Sequence, residues 1–261
     1  MQICVCVKQV PAKSVPMDSA NGILDRSKAG GKLNPWDSYA LEAALRIKEN
    51  LGGEITAITM GPPSAKSTLQ ETFALGVDRA VLLTDKAFSG ADVYATAKTL
   101  AAGIGVLGSF DLILCGQQST DGDTAQLPSS LATFLGLPVI SWVKKLDFQK
   151  EGLLLLQELT FGTQKVELHT PAVLSVGAGI GAVRLPSLKQ KLQAKSKKIE
   201  VLCMQDLKDK NPESYGLKAS PTQVCHIKEA NFKAKAPILS LEKEEAAEKI
   251  FAALTLLKEG N

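Results

Sequence analysis

The sequence has few of the side chains that build metal centres or disulfide frameworks. It contains only two histidines and five cysteines, an odd number without a CxxC pair. No zinc or iron–sulfur site is therefore expected. Cys4, Cys6 and Cys115 lie in apolar runs, where cysteine usually packs as a small hydrophobe. This cysteine usage predicts a reduced, cytoplasmic protein.

Other absences narrow the function classes. No apolar run approaches the length of a membrane span, and MQICVCVKQVP at the amino terminus lacks the regions of a signal peptide. A net charge of +3 is too small to indicate nucleic acid binding. The Walker-type glycine–lysine motif is also missing, which disfavours a free-standing nucleotide sensor or ATP-using enzyme. We expect neither a nucleic acid partner nor membrane insertion.

The first half of the chain alternates apolar runs with helical patterns. The runs cover residues 3–7, 55–60, 80–84 and 112–115, and helices are expected to begin near residues 35, 64, 92 and 124. Asn34 is expected as the N-cap of the first helix. Unbroken apolar runs are typical of parallel strands covered on both faces. The alternation predicts an α/β fold with a doubly wound, mostly parallel sheet.

One loop in this alternation has the features of an anion site. A polar, glycine-containing loop at 116–123 follows an apolar run, and the first turn of a helix is expected at 124–127. Free N–H groups and the positive end of the helix dipole would meet there, which suits a phosphate. Ligands of such sheets bind beyond the carboxyl ends of the strands. The loops at 7–11, 34–37, 60–63 and 85–92 should therefore converge on the same place.

The pattern changes in the second half. Residues 153–159 and 164–168 are expected to form antiparallel strands, and residues 172–176 to close the sheet. A helix is expected at 243–257, after about 60 residues with too few apolar positions for a core of their own. We therefore divide the chain into an α/β domain at 1–182 and, at 183–261, an extended arm and helix that lie on another subunit. A lysine-rich segment is either a solvated face or a docking element; its lysines are Lys189, Lys191, Lys195, Lys197 and Lys198.

Five segments together carry a resemblance to a known family. They are CVKQVP at 6–11, NPWDSYALEAAL at 34–45, MGPP at 60–63, DLILCGQQSTDGDTAQ at 111–126 and LKQKLQAKSKKIEV at 188–201. In this order and spacing they resemble the β subunit of electron-transfer flavoprotein along nearly the whole chain. The resemblance implies a fold of the adenine nucleotide hydrolase type, an FAD-bearing α subunit as partner, and AMP or FAD in the β subunit.

The same resemblance implies a set of binding residues. The expected nucleotide pocket consists of Cys6, Asn34, Pro35, Trp36, Asp37, Met60, Cys115, Gly116, Gln117, Gln118, Thr120, Asp121, Gly122, Asp123, Thr124, Ala125, Gln126 and Leu127. Leu188 matches the leucine of the family's recognition loop, which inserts into a partner dehydrogenase; the alternative is an ordinary exposed leucine in a lysine-rich coil. No catalytic acid, nucleophile or metal ligand is expected, because redox chemistry belongs to the flavin.

Three segments resemble the electron-bifurcating branch of the family. Gly122 stands where single-FAD, AMP-binding members commonly have an acidic residue, and glycine would let the backbone approach a pyrophosphate. AFSGADVYAT at 87–96 resembles a segment beside the β-subunit flavin, where Gly90 would admit NADH and Asp92 and Thr96 could hydrogen-bond the flavin. SPTQV at 220–224 is a further match.

The resemblance thus predicts flavin-based electron bifurcation or confurcation. FAD in this subunit would exchange electrons with NAD(H), sending one to ferredoxin or flavodoxin and the other through the α-subunit FAD to a dehydrogenase of acyl-CoA, enoyl-CoA or lactate type. One alternative is a single-FAD electron carrier with structural AMP in the β subunit. Another is a structural subunit whose nucleotide only braces the fold.

Overall fold

The computed structural model describes residues 1–12, 30–149, 152–224 and 239–259. The strands are β1 Gln2–Cys6, β2 Gln9–Pro11, β3 Gly31–Leu33, β4 Glu54–Met60, β5 Arg79–Leu83, β6 Leu112–Gly116, β7 Val139–Gln149, β8 Gly152–Leu159, β9 Gly162–Glu167, β10 Ala172–Val176 and β11 Glu200–Leu202. The helices are α1 Pro35–Leu51, α2 Lys66–Leu75, α3 Val93–Leu107, α4 Leu127–Leu135, α5 Leu188–Ala194 and α6 Lys243–Glu259. The chain divides into two compact units, residues 1–226 and 227–261.

A nine-stranded sheet organises the first unit. Its order is β11-β5-β4-β1-β6-β10-β7-β8-β9. Every pairing from β11 to β7 is parallel, and the β7-β8 and β8-β9 pairings are antiparallel. The predicted α/β fold with a mostly parallel sheet is therefore confirmed.

Two hydrophobic layers cover the two faces of this sheet. Alternate residues of β1 point to opposite sides: Ile3 and Val5 join the core under α1 and α2, whereas Cys4 and Cys6 join the core under α3 and α4. All four of these side chains are buried. Burial on both faces explains why the central strands have unbroken apolar sequences, as parallel strands between helical layers do.

The second half of the sheet differs from expectation in two places. The strand at 172–176 does not close the sheet, because β10 lies between β6 and β7 and pairs with both in parallel. β7 was not expected, because polar residues such as Lys145 and Asp147 alternate along it and interrupt any apolar run. The antiparallel hairpin expected near 153–168 is present as β8 and β9.

Residues after 182 contribute to the same unit. β11 adds to the sheet edge beside β5, and the side chains of Ala194, Leu202, Leu207 and Tyr215 are buried in its two cores. The compact unit therefore extends past the expected boundary at residue 182, because a few large side chains anchor a segment of low overall hydrophobicity. Residues 225–238 of the expected arm lie outside the described residues. The helix expected at 243–257 is present as α6. None of the described helices is both long and apolar enough to cross a lipid bilayer.

The close approach of β6 to α1 yields the first testable prediction. A Cβ on Gly116 would lie 2.6 Å from the carbonyl carbon of Trp36 and 2.7 Å from the amide nitrogen of Asp37. Because backbone atoms cannot rotate away, Gly116→Ala should lower the free energy of unfolding by about 1–3 kcal/mol. Urea unfolding measures this loss.

Gly105→Ala is the matched control. Gly105 lies in α3 with no atom within 4 Å of its Cβ position. Alanine there should leave stability unchanged or raise it by about 0.5–1 kcal/mol, because it restricts the unfolded chain. Equal stability of the Gly116 and Gly105 variants would contradict the packing argument.

Candidate functional site

The parallel sheet brings several loops to one edge. β1, β4, β5, β6 and β10 all run in the same direction. The segments that follow their carboxyl ends are 7–8, 61–65, 84–92, 117–126 and 177–181. The amino terminus of α1 reaches the same edge, because Asn34 donates its backbone N–H to the carbonyl of Lys8 over 2.9 Å. This edge is the candidate functional site.

Asn34 joins α1 to the loop at 117–126. Its side chain is buried, and its Nδ2 donates to Asp37 Oδ1 over 2.9 Å and to the carbonyl of Gln118 over 2.8 Å. Its Oδ1 accepts from the N–H of Thr120 over 3.4 Å. Asn34 holds the N-cap position of α1 as expected, but its side chain makes no capping hydrogen bond to the helix. The amide is used instead to hold the loop.

Asp37 places a buried carboxyl beside Asn34. Its Oδ2 accepts the backbone N–H of Lys8 over 2.7 Å. Burial raises the pKa of Asp37 to about 8, while the hydrogen bonds from Lys8 and Asn34 act in the opposite direction. The carboxyl therefore connects the end of β1 to the first turn of α1 at the cost of its own desolvation.

The loop at 117–126 has an unusual backbone. Asp123 and Ala125 adopt left-handed conformations, with φ of 50° and 53°. The expectation of a helical first turn at Thr124 is wrong: α4 begins at Leu127, because the left-handed Ala125 interrupts helical geometry and Pro128 suits the first turn. No side chain caps this helix at Gln126. The first-turn N–H groups are therefore without the side-chain acceptor that often satisfies them.

Gly122 lies at the turn of this loop. Its backbone is not left-handed, and a Cβ there would lie 3.4 Å from Ser119 Oγ and 4.0 Å from Lys8 Nζ. Both distances are ordinary contacts. Neither the backbone conformation nor the nearest described atoms thus require glycine at this position.

Lys8 is a site residue that the sequence analysis missed. Its Nζ lies 2.7 Å from Asp121 Oδ1 and 3.4 Å from Ser119 Oγ, so a cation stands over the loop. The loop at 7–11 was expected at this edge, but Lys8 was not among the expected binding residues. It lies over the loop at 117–126 because β1 and β6 are neighbours in the sheet, a strand order that the sequence did not provide.

The floor of the edge is apolar. Cys6 and Cys115 are register partners on β1 and β6, and both are buried. Contact with Cys6 and burial raise the pKa of the Cys4 and Cys115 thiols, so these two remain protonated. Met60 is half-buried at the end of β4. Within the described residues, no group of three His, Cys, Asp or Glu side chains could hold a metal ion.

The loop after β5 is held by Asp92. Its Oδ1 accepts the N–H of Ala95 over 2.9 Å and so caps α3, while its Oδ2 accepts the N–H and hydroxyl of Thr222 over 3.0 and 2.7 Å. Partial burial acts to raise its pKa, but these hydrogen bonds lower the pKa of Asp92 below its usual value. Both oxygens of the expected flavin ligand Asp92 thus already accept hydrogen bonds from within the chain. Thr96 is half-buried in α3, and Gly90 is exposed with a left-handed φ of 73°.

Leu188 lies on a separate surface, formed by α5. Leu188 and Leu192 lie one turn apart in α5 and are 74% and 58% exposed, and Leu185, which precedes the helix, is 90% exposed. The segment is anchored on both sides: Arg184 pairs with Glu42 of α1 over 2.9 Å, and Lys197 donates to the carbonyl of Val77 over 3.1 Å. α5 is therefore a fixed helix that presents exposed leucines among lysines.

The chain is similar in sequence to a known protein family over most of its length. The sequence model of the Electron transfer flavoprotein domain matches residues 21–207. An Electron transfer flavoprotein subunit beta of Clostridium acetobutylicum is 38% identical over 255 residues, covering 97% of this chain and 98% of the relative. The Caffeyl-CoA reductase-Etf complex subunit CarD of Acetobacterium woodii is 41% identical over 226 residues, covering 86% of each chain. The Acryloyl-CoA reductase electron transfer subunit gamma of Anaerotignum propionicum is 35% identical over 231 residues, also covering 86% of each.

The buried carboxyl of Asp37 gives a prediction for stability against pH. Its pKa in the folded chain, about 8, exceeds the ordinary value of 3.8, so the folded state binds the proton more tightly. This contribution to stability is complete at low pH and is lost as the pH rises through about 8. The slope from this one group approaches ~1.4 kcal/mol per pH unit. The free energy of unfolding of the wild type, relative to Asp37→Asn, should fall between about pH 5 and pH 8.

Asp92→Asn serves as the comparison for this measurement. The pKa of Asp92 is lowered, so its contribution is lost only as the pH falls below the ordinary aspartate range. The difference in free energy of unfolding between the wild type and Asp92→Asn should therefore stay constant between about pH 5 and pH 8. Urea unfolding at each pH gives both profiles, and parallel curves for wild type and Asp37→Asn would contradict the argument.

Proposed function

The chain belongs to the electron transfer flavoprotein family, among its β subunits, and on that premise we propose that it binds FAD at the edge formed by Lys8, α1 and the loop at 117–126. There it exchanges electrons with NAD(H). The onward path leads to ferredoxin or flavodoxin and, through the FAD of an α subunit, to a partner dehydrogenase. The observation that carries this proposal is the loop at 117–126.

That loop has the physical features of a pyrophosphate site. The first-turn N–H groups of α4 have no side-chain cap, and the positive end of the helix dipole lies there. Left-handed Asp123 and Ala125 are strained positions of the kind that cluster at ligand sites. Gly122 keeps its side-chain position open without any internal requirement for glycine. Together these features support an anionic ligand against the loop.

The chain's own residues would bind and orient the cofactor. FAD, when bound, supplies the redox chemistry, which is acceptance of a hydride from NADH and release of the electrons to separate acceptors. Asn34 holds the loop in place through the carbonyl of Gln118 and the N–H of Thr120. Gly90 is exposed on the neighbouring loop, where we expect NADH to approach, and Thr96 lies in the first turns of the helix that follows.

The relatives favour one class of dehydrogenase. Two of them are named as subunits of a caffeyl-CoA reductase and an acryloyl-CoA reductase system. Both names denote reduction of an unsaturated CoA ester, so we assign an enoyl-CoA type of partner rather than a lactate dehydrogenase. The exposed leucines and lysines of α5 form the docking surface for it, with Leu188 inserted.

The α subunit is the second proposed partner. α6 carries exposed apolar side chains at Ile250, Phe251 and Leu254, which are unfavourable in water and suit a protein interface. We assign α6, with the chain that precedes it, to contact with the α subunit.

One observation favours the alternative of a single-FAD carrier with AMP in this subunit. Asp92, a residue expected to bind the flavin, already accepts hydrogen bonds on both carboxylate oxygens, in capping α3 and in holding Thr222. The anion features of the loop at 117–126 serve a monophosphate as well as a pyrophosphate. Cofactor analysis of the purified heterodimer separates the two functions: FAD in both subunits and bleaching by NADH support bifurcation, whereas AMP without NADH-dependent bleaching supports the carrier.

Substitution of Gly122 tests the pyrophosphate position. Gly122→Asp introduces a carboxylate at the open side-chain position and should lower FAD retention by the β subunit about tenfold or more, because an added negative charge makes the loop less favourable for an anion. Gly105→Asp adds the same charge on an exposed face of α3 and should leave retention unchanged. Flavin released per heterodimer after dialysis measures both, and unchanged flavin in the Gly122 variant would refute this position for the pyrophosphate.

Substitution of Leu188 tests the docking surface. Leu188→Ala should raise the KM for the dehydrogenase roughly tenfold to thirtyfold, as loss of a central interface anchor does, and leave flavin reduction by NADH unaffected. Leu51→Ala, an exposed leucine at the far end of α1, should change neither quantity. Equal KM values for the Leu188 variant and the wild type would rule out Leu188 as the anchor.

A further inference from the structure

We propose that Lys8 is the cation that binds the nucleotide phosphate, and that glycine at position 122 matters because it leaves the Lys8 ammonium available. This inference deepens the proposed function and rests on it, since it assumes a phosphate-bearing ligand at the same edge. It concerns the phosphate that FAD and AMP share, so it does not depend on which of the two is bound.

The charge balance of the loop requires a cation from elsewhere. Residues 116–127 contain the carboxylates of Asp121 and Asp123 and no lysine or arginine. Helix N–H groups attract a phosphate, but two carboxylates in the same loop oppose it. Within the part of the chain that the structure describes, Lys8 Nζ lies over this loop, 2.7 Å from Asp121 Oδ1. This ammonium offsets part of the acidic charge that a phosphate would meet there.

The backbone at Lys8 and the residue before it is fixed by three hydrogen bonds. Its N–H donates to Asp37 Oδ2 over 2.7 Å, and its carbonyl accepts the N–H of Asn34 over 2.9 Å. The preceding residue, Val7, donates its N–H to the carbonyl of Ile58 over 2.9 Å. The direction in which the side chain leaves β1 is thus set by the buried contacts under the site. A fixed origin reduces the entropy that a lysine loses when it binds a ligand.

The side chain of Lys8 retains capacity for a ligand. Its contacts with described residues are to Asp121 Oδ1 and to Ser119 Oγ, at 2.7 and 3.4 Å. An ammonium has three N–H donors, so a third is left for a phosphate oxygen. The side chain is 45% exposed, which leaves it open to a ligand from solution. Lys8 can bridge Asp121 and a phosphate at the same time.

Gly122 bears on the same charge. Its Cβ position lies 4.0 Å from Lys8 Nζ, so an aspartate carboxylate there would come within ion-pairing range. An acid at position 122 would then pair with Lys8 and withdraw it from the phosphate. The alternative is direct repulsion between the new carboxylate and the phosphate. These two explanations predict different behaviour when Lys8 is removed as well.

The experiment measures binding of FAD and of AMP, as separate probes, to the heterodimer stripped of nucleotide at the β site. For whichever probe the wild type binds, Lys8→Gln should raise the Kd by about tenfold. This loss of affinity is typical when a charge-assisted phosphate contact is removed. Lys8→Arg should restore most of the affinity. The rise of Kd with ionic strength should be shallower for Lys8→Gln than for the wild type, because the variant lacks a charge that salt can screen. If Lys8 had only a structural role, the two slopes would be equal.

Two further variants keep the test independent of folding. Asp121→Asn weakens the competitor for Lys8 and should lower Kd about twofold to fivefold, a gain that misfolding cannot produce. Lys48→Gln breaks a comparable ion pair, to Asp78 over 2.6 Å at the other end of α1, and should leave Kd unchanged.

A double-mutant cycle separates capture of Lys8 from direct repulsion. If the carboxylate introduced at position 122 acts by capturing Lys8, Gly122→Asp should cost little further affinity once Lys8→Gln is present. Equal losses from Gly122→Asp in both backgrounds would overturn the role given to Gly122. A Kd and salt slope of Lys8→Gln equal to those of the wild type would overturn the role given to Lys8, although the proposed function would stand. Failure of the wild type to bind either probe would refute the proposed function and this inference together.

Discussion

The buried amide of Asn34 is the interaction on which the candidate site depends. It joins Asp37 in the first turn of α1 to the carbonyl of Gln118 and the N–H of Thr120. Because the amide is shielded from water, each of its hydrogen bonds would be expensive to lose. The loop that follows β6 is thereby held against α1. The same contacts fix the backbone of Lys8 through Asp37, so the ammonium and the loop at 117–126 are positioned by a single polar cluster.

That cluster can exist only because the sheet below it is parallel and covered on both faces. The carboxyl ends of β1 and β6 are adjacent, and Gly116 lets β6 end directly against the backbone of α1. Polar groups concentrate where the apolar layers stop, and their desolvation is offset by mutual hydrogen bonding. The docking surface proposed for a dehydrogenase is α5, which is anchored through Arg184 and Lys197 and has exposed leucines.

Sequence reasoning succeeded where a local pattern has a single physical meaning. Unbroken apolar runs between helical stretches predicted the parallel strands of the sheet. It failed where tertiary context overrides the local pattern. The first turn expected at Thr124 is displaced to Leu127 by left-handed Ala125, and β7 is disguised by its polar alternation. The segment after residue 182 has too few apolar positions for a core of its own and was expected to lie on another subunit, yet Tyr215 and Leu207 are buried in a core of the sheet.

The sequence by itself determined the alternating α/β class, the loop that would carry the site and the resemblance to a flavoprotein β subunit, because these depend on periodicity and on the order of short motifs. Only the tertiary structure decided which charges meet over that loop. Lys8 and Asp121 are more than a hundred residues apart in the chain but 2.7 Å apart in space. The carboxylate of Asp92, which is expected to bind the flavin, accepts hydrogen bonds from Ala95 and Thr222, and Thr222 is likewise more than a hundred residues away in the chain. Electrostatic partners depend on distance in space rather than in sequence, and that distance is set when the strands take their order in the sheet.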